Sequence, residues 1–288
     1  MTSTTDAGID RAQFADEWDT WHRAHEERRN DPLGFHAITG LHWLGAEPVR
    51  LDGAPGAWSS GGAGTEGTVV ELRDDERLTL DGEVITDRHV LGVLPERASV
   101  FLSFTDGEVT GAIELAQRGG HTIVRPRRSD HPFLAAYPGT PAYLPDPGWR
   151  VAARFVPFDH PRPTAVGSAV DGLTHVYEAP GRLEFAWRGE SFALTAFPGR
   201  GSGLLVLFTD ATSGVTTYAA NRAVAVDAPD KSGWTTIDFT RATNLPCAYT
   251  DFATCPLPPS ENRLPIAIEA GEKTPRSRVH GETSQVPA

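Results

Sequence analysis

The 288-residue chain is 39% hydrophobic and 22% charged, with a net charge of −12, a profile of a globular protein with a sizeable core. The acidic balance argues against nucleic acid and anionic membranes, which need positive surface, and no run approaches the ~18 apolar residues of a membrane span. Two cysteines make no disulfide framework, and the opening Met-Thr-Ser-Thr-Thr-Asp-Ala-Gly lacks the basic start and apolar stretch of a secretory signal, so a reducing cytoplasm is the expected location.

Residues 10–30 predict a helix. Phe14, Trp18 and Trp21 fall at i, i+4 and i+7, an aromatic stripe suited to docking on a β core. Asn30-Asp31-Pro32 ends it. His22 and His25 have a spacing that a metal pair would use, but two exposed histidines on a polar face fit the pattern better. Beyond Pro32, Phe35–Leu44 is apolar and strand-like, and Ser59–Gly67 predicts a flexible loop. Strand candidates follow at Gly67–Leu72, Leu78–Val84, Val100–Phe104, Thr110–Leu115 and Thr122–Val124, with hairpin signals at Asp81-Gly82 and Asp106-Gly107. They predict a small β-sandwich lobe over residues 33–130. A Pro-rich crossover at 131–147, anchored by Phe133, Tyr137 and Tyr143, leads to the second lobe.

That lobe, 148–273, contains candidates at Val151–Phe155, Thr174–Glu178, Gly181–Trp187, Glu190–Phe197, Leu204–Thr209, Thr216–Tyr218, Ala223–Val226 and Thr235–Phe239. It predicts a barrel-like unit, and residues 274–288 predict a loose polar tail. The fold class is therefore mainly β: an N-terminal helix, residues 1–32, followed by two antiparallel β lobes, the second covered by a Pro-rich C-terminal segment.

Familiar catalytic signatures are missing. Arg200-Gly201-Ser202-Gly203 lacks the leading glycine of a nucleophile elbow and reads as a hairpin loop. Asp130-His131-Pro132 and Asp159-His160-Pro161 read as turns. Arg125-Pro126-Arg127-Arg128 marks a local anion contact or a solvated loop. Cys247 and Cys255 offer only two metal ligands, so buried structural thiols are the favoured reading, with a disulfide, a metal half-site or a nucleophile as alternatives.

The densest chemistry lies between Asp238 and Glu272, where Asp238, Arg241, Asn244, Glu261 and Asn262 are interleaved with prolines and apolar residues. Such groups are costly to bury unless paired. Just upstream, Asp210 is placed to cap a turn, and Tyr218 and Arg222 lie four apart, on one face of a strand, where an arginine fork can hold a carboxylate or phosphate. Asp210-x-Thr-Ser-Gly, Thr217-Tyr218, Arg222, Asp238-Phe239, Arg241-Ala242, Asn244, Pro246-Cys247-Ala248, Thr254-Cys255-Pro-Leu-Pro-Pro, Glu261-Asn262-Arg263-Leu-Pro and Glu269-Ala-Gly-Glu272 resemble the bacterial and archaeal family of uncharacterised proteins called domain of unknown function 1684, most strongly over residues 150–273, with Gly40-Leu-His-Trp-Leu44 similar to its opening block. This chain has Thr240 where the family usually has Asn, Thr243 for Tyr, and Leu245 and Ser260 for Pro. The resemblance implies no activity.

From the residues, the expectation is an enzyme, a hydrolase or lyase, using acid–base chemistry on a small anionic molecule, with no organic cofactor or metal. Glu261, Asp238 and Arg241 are its candidate catalytic residues, and Arg222, Tyr218, Asn244 and Asn262 its candidate binding residues. A non-catalytic module binding a metabolite or peptide is the alternative. Neither nucleic acid nor membrane is expected as a partner, and a homodimer is left open.

Overall fold

A computed structural model describes residues 10–61 and 67–281. The middle of the loop expected at Ser59–Gly67 lies outside the described residues. The N-terminal helix α1 (Arg11–Arg29) starts at Asp10, whose carboxylate accepts from the Ala12 and Gln13 amides, and ends at Asn30, whose N–H reaches the Glu26 carbonyl. Phe14 and Trp18 are buried, and Trp18 Nε1 donates to the Thr240 carbonyl at 2.7 Å. The helix thus docks by its aromatic stripe. His22 and His25 are half-buried instead of exposed, stacked on Trp18 and Trp21 at 4.6 and 5.4 Å. The docked face is wider than the stripe because it meets the C-terminal segment.

The first lobe holds β1 (His42–Trp43), β2 (Val49–Arg50), β3 (Ala57–Ser60), β4 (Thr68–Glu71), β5 (Leu78–Leu80), β6 (Glu83–Ile85), β7 (Arg88–Gly92), β8 (Ser99–Asp106), β9 (Val109–Arg118) and β10 (His121–Arg128). One sheet runs β1-β10-β9-β8-β5-β6 and the other β2-β3-β4-β7. Trp58 and Val70 from the second meet Leu102, Ile113 and Leu115 from the first in one core. Both Asp-Gly turns form, between β5 and β6 and between β8 and β9. Only His42–Trp43 of the apolar run Phe35–Leu44 is strand. Phe35–Ala37 forms a 3-10 turn instead, because the Phe35 and His36 rings pack against Tyr249.

A short helix α2 (Pro132–Ala136), capped by the His131 ring, opens the crossover. The second lobe contains β11 (Arg150–Gly167), β12 (Thr174–Trp187), β13 (Glu190–Pro198), β14 (Leu204–Phe208), β15 (Arg222–Val226) and β16 (Trp234–Asp238). They form a curled half-barrel sheet in the order β15-β14-β13-β12-β11-β16. Asp159-His160-Pro161 is no turn: β11 carries it within one strand, where the register against β12 shifts between Pro157 and Arg162. Prolines have no N–H for a ladder, and a bulge absorbs that loss. Thr174–Glu178 and Gly181–Trp187 fuse into β12, while Thr216–Tyr218 belongs to a tight loop capped by Asp210, which accepts from the Thr212 amide at 2.6 Å.

Leu183, Leu194, Val206, Phe208 and Val224 fill the half-barrel. Phe239, Ala242, Leu264, Ile268 and Ala270 of the C-terminal segment join this same core, so that segment serves as the barrel's missing wall. The expected loose tail is packed as far as the description extends. Val279 N–H donates to the Tyr249 carbonyl at 2.7 Å, and Arg278 pairs with Asp251. Ile38, Leu41, Ile123, Leu173 and Phe252 join the two lobes through one apolar cluster. No helix among the described residues is long and apolar enough to cross a membrane.

Candidate functional site

The residues singled out in the C-terminal segment are mostly holding it in place. Arg222 is fully buried, paired with Asp210 at 2.5 Å, and donates to the carbonyls of Ile268, Ala270 and Glu272. Gly271 has φ 74°, and a Cβ there would lie 2.5 Å from the Ala242 carbonyl, so only glycine lets this stretch wrap the guanidinium. Asn262 spans β13 and β14: it accepts from the Thr195 amide at 2.7 Å and donates to the Thr195 and Leu207 carbonyls at 2.8 Å each. Asn244 donates from its amide to Glu272 and from its side chain to the Lys273 carbonyl. Tyr218 donates to the Cys247 carbonyl at 2.8 Å.

Asp238 caps the turn that follows β16, accepting from the Thr240 amide and hydroxyl at 3.1 and 2.5 Å. Thr240, the departure from the family pattern, therefore serves this cap. Asp238 also lies 3.6 Å from Arg241 and 3.7 Å from Arg150, and Arg241 covers the Trp21 ring. Glu261 sits apart from these, exposed, paired with Arg162 at 3.1 Å and accepting from the Thr195 hydroxyl. Asp238 and Arg241 thus come together, while Glu261 and Arg222 are held by other partners.

Where α1 meets the segment, a second buried polar network forms. Arg29 donates to Glu272 at 2.6 Å, to Glu26, and to the Thr140 hydroxyl at 2.6 Å. Tyr137 donates to Glu26 at 2.6 Å, and the Tyr249 and Thr140 hydroxyls bond at 2.8 Å. Burial, with Arg29 adding to it, lowers His25 and His36 to about 3, so both rings are neutral. His22, Glu26 and Glu272 offer ligand atoms within 4.8 Å of one another. Arg29 already engages both carboxylates, so a cation would have to displace a buried guanidinium.

A different arrangement occupies the junction of the lobes. Arg97, Arg118, Arg125, His175, Tyr177 and Cys255 line a cavity of about 330 Å³, closed on one side by residues 245–246 and 253–256 of the C-terminal segment. Arg125 on β10 faces its register partner Glu114 on β9, with bonds of 2.6 and 3.1 Å. Burial raises the Glu114 carboxyl, but Arg125 and Arg127 outweigh it and hold it down at about 2. Arg118 is spent on the loop before β8, donating to the Ala98 carbonyl and the Ser99 hydroxyl at 2.9 and 2.8 Å. Arg97 has no carboxylate partner among the described residues; its guanidinium lies 4.1 Å from the Tyr177 ring centroid. Its backbone has φ 69°, a left-handed conformation costly for a long side chain.

His175 and Tyr177 sit two apart on β12 and so share a face. His175 is 3% exposed and its Nε2 donates to the Thr254 carbonyl at 2.8 Å, which leaves Nδ1 as a lone-pair acceptor without a partner among the described residues. Burial lowers the His175 ring, keeping it neutral, and burial raises the Tyr177 hydroxyl, keeping it protonated. The cavity thus combines fixed positive charge, a neutral imidazole base and a phenolic acid, the ingredients for binding an anion and moving a proton. Arg125 belongs to the arginine cluster picked out in the sequence, while His175 and Tyr177 fall within a strand candidate that nothing marked as a site. Nothing local marks Arg97 or Arg118.

A family described as "Protein of unknown function (DUF1684)" matches residues 135–273. Among solved structures, the chain is similar to an uncharacterized protein of Haloarcula marismortui determined by solution NMR, with 34% identity over 49% of this chain and 78% of that one and a TM-score of 0.41. A search of curated proteins finds no match. With the match running through Glu272 and Lys273, the chain belongs to the DUF1684 family of proteins of unknown function.

Proposed function

We propose that the cavity between the lobes binds a small anionic molecule and carries out acid–base chemistry on it, of the hydrolase or lyase type. The observation that supports this most is the convergence of Arg97, Arg118 and Arg125 with His175 and Tyr177 on one cavity of about 330 Å³ in a chain of net charge −12. Arg97 and the outer edge of Arg125 hold the carboxylate or phosphate. Nδ1 of His175 takes a proton, and the Tyr177 hydroxyl returns one.

The test is a thermal-shift screen of small carboxylates and phosphates on the purified protein, followed by turnover assays on every hit. Hits lost in Arg97→Ala, with turnover lost in His175→Gln, are the expected result. Stabilisation by an anion with no turnover of any hit would leave a binding module, a reading favoured by the seal over His175 Nδ1, which is closed to solvent. Absence of any anion effect would sink both.

A further inference from the structure

The acid–base groups leave two nucleophiles at this junction unused. Cys255 lines the cavity, and Cys247 lies directly behind it. The Cys247 amide donates to Cys255 Sγ at 3.3 Å, and the Cys247 thiol lies 3.8 Å from Asn221 Oδ1, so both sulfurs sit in one buried cluster. Both backbones are pinned. The Cys247 carbonyl accepts from Tyr218 at 2.8 Å and from Arg278, and the Cys255 carbonyl accepts from the Ala169 amide at 2.8 Å. We propose that Cys247 and Cys255 are a modification site, a dithiol that a peroxide oxidises to a disulfide at the wall of the anion cavity. This rests on the thiols alone and does not depend on what the cavity binds.

The electrostatics favour one order of events. Its interaction with Cys255 lowers the Cys247 thiol, burial opposes this, and the Arg278 guanidinium and Tyr218 lower it further. The same interaction, together with burial, raises Cys255. Of the two, Cys247 is therefore the thiol that gives up its proton more readily, and its thiolate reacts first. Its sulfur attacks one peroxide oxygen. The O–O bond breaks, the departing hydroxide takes up a proton and leaves as water, and Cys247 becomes a sulfenic acid. The Cys255 sulfur then attacks the Cys247 sulfur. The S–O bond breaks, and the hydroxide leaves with the Cys255 proton as a second water. Two thiols and one peroxide yield one disulfide and two waters. A Cys-x7-Cys spacing on a pinned loop brings the partners together without unfolding the lobes.

Folded wild type is exposed to stoichiometric hydrogen peroxide, then denatured, alkylated with a maleimide and weighed intact. The expected product lacks two hydrogens, takes no maleimide and regains both thiols with dithiothreitol. Cys255→Ser is expected to stop at a sulfenic acid that dimedone captures, and Cys247→Ser to give no disulfide. Two alkylated thiols after peroxide would overturn the proposal, as would sulfinic acid without a disulfide, or a disulfide that forms only in denaturant. Should either serine variant fail to fold, the wild-type mass alone decides.

Discussion

The α1 junction and the cavity between the lobes are both built on arginines, but they differ in how far those arginines are satisfied. Arg29 has two carboxylates, a hydroxyl and the His25 ring around it. Arg222 has Asp210 and three carbonyls on its two terminal nitrogens, with only Nε lacking a partner among the described residues. In the cavity, one carboxylate, Glu114, serves Arg125 and Arg127 together, and Arg97 lies on an aromatic ring with no carboxylate partner among the described residues. Saturated cations hold a fold together, whereas an unsaturated cation in a cavity leaves room for an anion from outside. The presence of arginine therefore says little; the count of its acceptors separates scaffold from site.

The sharpest break in that comparison is Arg29→Ala. It leaves Glu272 buried without its cation and should cost roughly 3–5 kcal/mol, as removal of one partner of a buried pair does. Chemical denaturation measures it, and a loss under about 1 kcal/mol would refute the saturated reading. Acid comes next. His25 and His36 have folded values of about 3 against an ordinary 6.5. The unfolded chain then binds more protons than the folded one below pH 6.5, so stability falls with pH between 6.5 and 3. Between pH 6.5 and 5 the expected loss is on the order of 1–2 kcal/mol for each histidine. Glu114, held at about 2, adds a further loss as pH falls from 4.5 toward 2. A denaturation series flat between pH 7 and 5 would contradict the buried, neutral histidines.

For the cavity the expectation reverses. Arg97→Ala should change stability by less than about 0.5 kcal/mol, as surface substitutions do. It should weaken binding of any anion hit about tenfold, roughly 1.4 kcal/mol by calorimetry. A large stability loss with unchanged binding would make Arg97 one more structural arginine. The smallest effect is expected at Glu261→Gln. Its exposed pair with Arg162 is of the kind worth ~0–1 kcal/mol, and turnover should persist if His175 is the base. Loss of turnover there would move the chemistry to the outer face of β13.

The fold was largely legible. The aromatic stripe of α1, the Asp-Gly turns and the glycine-rich hairpin at 199–203 carry local rules that tertiary contacts did not override. The errors came where a local signal met a longer-range demand. Asp159-His160-Pro161 looks like a turn but is held extended by pairing along both flanks with β12. Residues 274–281 look like a tail, yet Arg278 and Val279 find partners on the 247–251 turn. The site was less legible. The polar residues of the 238–272 segment stand out because burying them requires partners, and that same demand makes Arg222, Asn244 and Asn262 scaffold. The cavity groups come from three separate stretches, near 97, 118–125 and 175–177, and only strand pairing across the lobes assembles them.

The Arg29–Glu272 contact joins positions 243 residues apart. On the ribosome, α1 emerges 243 residues ahead of its principal acidic partner. A helix docked through Trp18 on Thr240 has nothing to dock on until that segment emerges, and isolated helices of its length are marginal in water. The half-barrel likewise lacks its last wall until the 239–273 segment arrives. The second lobe therefore completes only once Glu272 has emerged, in a single step that closes the barrel and captures the helix together. A chain stalled before Glu272 would expose both an apolar sheet interior and an aromatic helix face, a species suited to chaperone capture rather than to gradual, domain-by-domain release.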